Sequence, residues 1–134
     1  MPKFSTLQKC VIAVMLAFAA FFVFSMMGGK GARSPAARSL TNAYSLASAC
    51  RQYASGHQGS FPPSLDALFP GYLTDRSLLV SPLKPEEPAG YLYTAGLKDI
   101  GPVNAVLIED KFAPLQHIRI VAYVDGSARI LNTP

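Results

Sequence analysis

Residues 117–131 read HIRIVAYVDGSARIL, two apolar runs either side of Asp125-Gly126. Valine, isoleucine and tyrosine suit a pleated, half-buried surface, and the glycine supplies the positive φ of a tight turn, so the stretch predicts a C-terminal β-hairpin. YLYTAGL (91–97) and AVLIED (105–110) share that strand-like content. The proline-rich SPLKPEEP (81–88) has no apolar period and reads as loop. A small antiparallel sheet of three to four strands follows, with no internal repeat.

Upstream of the sheet, SFPPSLDALFPGYL (60–73) opens with two prolines that impose an extended entry. Ser64 then caps a short helical turn, and Leu65, Leu68 and Leu73 face inward, with Phe61, Ile120 and Val124 as further core candidates. Before it lies a helix. Ser34-Pro35 has the pattern of an N-cap followed by proline at the first helical position. Leu40, Ala43, Tyr44, Ala47, Cys50 and Ala54 recur three and four apart, which gives one narrow apolar stripe for packing on the sheet. Gly56 and Gly59 end the helix.

The remaining segment is unlike the rest. Cys10 to Met27 carries no charge, and at about 1.5 Å per residue such a run approaches the ~30 Å hydrocarbon thickness of a bilayer. It is longer than the apolar core of a secretory signal and ends in Met-Met-Gly-Gly-Lys with no small-residue cleavage site. The expected organisation is therefore residues 1–29 as a transmembrane anchor, embedded in the lipid bilayer through residues 7–29, and residues 30–134 as one extracytoplasmic domain. GGKGAR (28–33) joins the two. The expected fold class is α+β: an N-terminal transmembrane helix, a second amphipathic helix continuous with it or not, and the small sheet.

Composition excludes more than it assigns. The net charge is +4, shared between the two parts, with no interleaved stripe of arginine and aromatic residues, so no nucleic-acid partner is expected. The two cysteines, Cys10 and Cys50, lie in the apolar run and on the helix, and no disulfide is expected between them.

The order of elements resembles type IV pilin-like proteins, including the pseudopilins of type II secretion. The residues that carry the likeness are YASGHQGSFPPSLDAL (53–68), LLVSP (78–82) and YVDGSARIL (123–131). They are similar to a bacterial pilin-like family that ends in an H-x(9)-D-G motif, although seven residues, not nine, separate His117 from Asp125-Gly126. The resemblance implies a membrane-anchored structural or accessory protein of a type II secretion or type IV pilus-type system. Its place would be the inner membrane, single-pass with a periplasmic domain, and its partners pilin-like or secretion-system subunits. The family also implies glycine and glutamate just before the apolar run. Here Phe4 and Lys9 stand at those places, and Lys9 would bring like charge to a neighbour's amine. The N-terminus is therefore expected to stay uncut.

Nothing in the pattern predicts catalysis. G-x-S-x-G, H-E-x-x-H, paired C-x-x-C and phosphate-cradling glycine loops are missing from the sequence. His57 reads as a solvated turn residue, His117 as a polar residue at a strand start, and Cys50 as a small buried hydrophobe. Asp99, Glu109, Asp110 and Asp125 could offer oxygens to calcium, yet no D-x-D-x-D-G spacing gathers them. No catalytic residue, cofactor site or metal site is expected, and the protein is expected not to be an enzyme. The alternative to an assembly subunit is a membrane-anchored extracytoplasmic binding domain that stands alone.

Overall fold

The computed structural model describes residues 33–134 together with Ile12, Val14 and Met15. The chain divides into two compact units, Met1–Arg33 and Ser34–Pro134. The second holds helix α1 (Pro35–Gly56) and strands β1 (Tyr91–Tyr93), β2 (Val106–Asp110), β3 (Ile118–Tyr123) and β4 (Ala128–Asn132).

The expected N-terminal transmembrane helix followed by a second helix is corrected. Among the described residues there is one helical element longer than a 3-10 turn, α1, no helix long and apolar enough to cross a membrane, and a four-stranded antiparallel sheet. The expectation of a spanning helix rested on the length of the apolar run, and apolar length does not by itself specify a helix. α1 itself starts where Ser34-Pro35 predicts, with Ser34 held in a non-helical backbone (φ −53°, ψ 151°) just before Pro35. The Ser34 hydroxyl accepts from the Ala37 amide at 3.2 Å, a bond that replaces the missing intrahelical partner at a true helix start. Apart from Ile12, Val14 and Met15, the run lies outside the described residues, as do Phe4 and Lys9.

At its other end α1 stops where the Gly59 amide bonds back to Ala54 O at 2.8 Å. The helix buries Ser39, Ala43, Leu46, Ala47, Ala49, Cys50 and Ala54. Alanine and cysteine dominate this face, and small side chains let the helix backbone lie close against the sheet. Tyr44, expected in the stripe, is corrected: it is 55% exposed on the outward side. Ser39, Leu46 and Ala49 hold the inward places instead.

The four strands form a meander in the order β1-β2-β3-β4, each antiparallel to the next. Register sets the faces. Tyr93 pairs with Ile108, Ile108 with Ala122, and Ile120 with Ile130, so alternate residues of all four strands share the face on which α1 lies. A register shift between Val106 and Ile108 puts an irregularity in β2, and Leu107 is fully buried there. On the opposite face Arg119 grips Glu109 with two bonds, Nε to Oε1 at 2.7 Å and Nη2 to Oε2 at 2.9 Å, tying β3 to β2. The β3–β4 turn places Gly126 at φ +87°, a conformation that a side chain would strain.

The segment 60–73 closes the core from the side. Phe61 and Leu68 are buried and Leu65 is half-buried, and the Tyr93 hydroxyl donates to Pro62 O at 2.5 Å. Leu65–Leu68 is a 3-10 turn, but the Ser64 hydroxyl makes no capping bond to it. The turn is therefore held by packing and not by the expected cap. Phe61→Ala should cost about 3–5 kcal/mol of unfolding free energy, the loss expected when an aromatic ring leaves a cavity in a core. Urea denaturation of the purified protein checks it, and an unchanged midpoint would show that the ring contributes no packing.

Candidate functional surface

The four acidic residues considered for calcium do not meet at one point: Asp99 and Asp125 line one open cleft beside α1, while Glu109 and Asp110 lie apart from it. Glu109 is paired with Arg119, and Asp125 Oδ1 accepts from the Ser127 amide at 2.9 Å and its hydroxyl at 2.6 Å within the β3–β4 turn. Asp110 is buried, and Asp99 lies in the loop after β1, its amide bonded to Gly59 O. Among the described residues no group of three or more histidine, cysteine, aspartate or glutamate side chains is placed to hold a metal ion.

The histidines have structural settings. His57 stacks on Tyr53 with ring centroids 3.7 Å apart, and its Nδ1 donates to Tyr53 O at 2.7 Å. His117 takes a left-handed backbone (φ 56°) that ends the 3-10 turn Ala113–Gln116 and starts β3. Cys50 is fully buried, and burial pushes its thiol up to about 12. A neutral thiol without solvent access is neither nucleophile nor ligand.

What the sequence reading missed is a buried polar cluster. Asp110 Oδ2 accepts from the Ser39 hydroxyl of α1 and from the Ser81 hydroxyl of the proline-rich loop, the latter at 2.6 Å. Its Oδ1 accepts from the amides of Phe112 and Ala113 at 2.7 and 3.2 Å. The Tyr91 hydroxyl donates in turn to Ser39 Oγ at 3.0 Å, and the Leu83 amide donates to Ser81 Oγ at 3.1 Å. Burial pushes the Tyr91 phenol up to about 12, which the bond to Ser39 only partly offsets. The available signal was Ser39 itself, four residues before Ala43 on the inward face. A hydroxyl there requires a buried partner.

With every member of this cluster satisfied and sealed from solvent, it offers no chemistry to a substrate. The accessible surface is instead the outward face of α1, where Arg38, Thr41, Tyr44, Arg51, Gln52 and Ser55 are exposed. Thr41 and Ser45 return their hydroxyls to the helix carbonyls of Ala37 and Thr41, each at 3.0 Å. This face can make contacts; it does not assemble an acid, a base and a nucleophile.

No protein-family model, curated protein or solved structure matches the chain.

The buried thiol gives a direct check of the packing under α1. Native Cys50 should resist alkylation by iodoacetamide near pH 8 and become fully modified once urea unfolds the domain, as peptide mass spectrometry would record. Rapid native modification of Cys50 would show that α1 does not seal it against the sheet.

Proposed function

We propose that this protein is a pilin-like structural or accessory subunit of a type II secretion or type IV pilus-type system. It meets the inner membrane through residues 7–29 and carries its domain on the periplasmic side. The observation that supports the reading is the placement of α1, which buries a face of small residues on a four-stranded meander and, among the described residues, leaves Arg38, Thr41 and Tyr44 exposed on its outward side. Order along the chain adds to it: an apolar run, this helix, the proline loop, and a terminal Asp-Gly hairpin. A face of that kind serves contact between subunits, with packing and not catalysis as the mechanism.

A second reading, a lone membrane-anchored binding domain, is favoured by one observation. Asp99 and Asp125 share an open cleft with the outward side of α1, and a ligand site on an unassembled domain would have that location.

Cross-linking in cells separates the two. With a photoreactive residue placed at Arg38 or Thr41 of the full-length protein, an assembly subunit yields covalent dimers or adducts with other membrane-attached pilin-like proteins upon illumination. Monomer alone, with the protein present at normal level in washed membranes, would reject the assembly reading and leave the lone binding domain.

A further inference from the structure

Along the C-terminal half of α1, an open cleft of about 510 Å³ is bounded by Tyr44, Ser48, Arg51 and Gln52 on the helix side and by Asp99 and Asp125 on the loop side. Tyr44, Ser48, Gln52 and Ser55 follow one another at three- and four-residue steps, so they share one helix face. The walls are fixed by the fold. Arg51 Nη1 donates to Val124 O at 2.8 Å, which holds the guanidinium in place while its remaining N–H groups stay available. Gly126 closes against that side chain: a Cβ there would come within 2.8 Å of Arg51 Cδ. On the other wall, Asp99 is tied to Gly59 O through its amide at 2.9 Å.

The side chains around this cleft differ from their neighbours on the helix. Thr41 and Ser45 satisfy their hydroxyls on helix carbonyls. Within the described residues, Ser48, Gln52, Ser55 and the Asp99 carboxylate have no protein hydrogen-bond partner, and all of them line the cleft. Tyr44 adds an exposed aromatic ring beside these groups, on a helix face where packing does not require one.

Charge narrows the ligand. Arg51 opposes a cation, while Asp99 and Asp125 oppose an anion, so neither a metal ion nor a phosphate suits the cleft. Carboxylates, an amide, hydroxyls and a held guanidinium together offer both donors and acceptors. An aromatic plate accepts the apolar C–H face of a ring, and the volume lies within the ordinary range of ligand sites. We propose that this cleft binds a neutral carbohydrate chain, its hydroxyls bonded to Gln52, Asp99, Asp125 and Arg51 and one sugar ring lying on Tyr44. The proposal holds for an assembled subunit and for a lone domain alike.

Saturation-transfer NMR on the full-length protein tests it, in micelles of a detergent without a sugar headgroup and with chitohexaose, maltohexaose and cellohexaose as probes. The expected result is transfer to the ring protons of at least one probe. That transfer should fall about fivefold or more in both Tyr44→Ala and Asp99→Asn, and hold in Arg38→Ala, which lies outside the cleft. Both cleft residues are exposed, so these variants should keep the fold, which circular dichroism verifies; if one unfolds, Gln52→Ala takes its place. Absence of transfer to all three probes overturns the proposal. So does any smaller loss in the cleft variants, or an equal loss in Arg38→Ala.

Discussion

The domain depends on one buried carboxylate. Asp110 stands at the end of β2 and accepts four hydrogen bonds: from Ser39 on α1, from Ser81 on the proline-rich loop, and from the two amides that begin the turn into β3. A carboxylate taken out of water is costly unless its oxygens are satisfied, and here each oxygen has two donors. Three segments distant in sequence must be in place together for that to hold. Gly90 makes the meeting sterically possible, since a Cβ there would stand 2.2 Å from the Ser81 amide nitrogen. Its own amide and carbonyl bond to Leu79 and Lys111, which brings the loop alongside the start of β1 and the end of β2.

The orientation of α1 follows from that anchor. Ser39 pins the N-terminal part of the helix, and the run of small residues after it, Ala43, Ala47, Cys50 and Ala54, lies flat on the sheet. Leu46, Leu107, Ile108, Ile120 and Val124 then fill the space between the layers. With one face committed in this way, Tyr44, Arg51 and Gln52 are turned outward, toward the loop of Asp99 and the β3–β4 turn. The same constraint that builds the core therefore selects which helix residues are left exposed.

The sheet was legible because its signals are local. Tyr, Val and Ile in short runs, with Asp125-Gly126 at the turn, specify strands and a hairpin from adjacent residues alone, and Ser34-Pro35 marks the start of α1 in the same way. The inward face of α1 was less legible. The expected stripe held Ala43, Ala47, Cys50 and Ala54, which are buried, but it took in the exposed Tyr44 and left out Ser39, Leu46 and Ala49, because three- and four-residue steps fit more than one line along the helix. The Asp110 cluster showed in the sequence only as a serine on the inward face of α1, because the two serines that bond the carboxylate are 29 and 71 residues away and only tertiary structure joins them. Hydropathy at the N-terminus measured only the length of an apolar run, which does not by itself specify a membrane-spanning helix. The cleft was missed for a similar reason, since its two carboxylates come from loops that the strand pattern does not place in space.

Whether the Asp110 carboxylate holds helix, loop and sheet together is read from urea denaturation of Asp110→Ala beside Ser39→Ala and Ser81→Ala. Removing the carboxylate strands two hydroxyls and two amides in the interior, so a loss of about 3–5 kcal/mol is predicted for Asp110→Ala, larger than for either serine variant. A loss below about 1 kcal/mol, no more than a typical point substitution costs, would contradict that role.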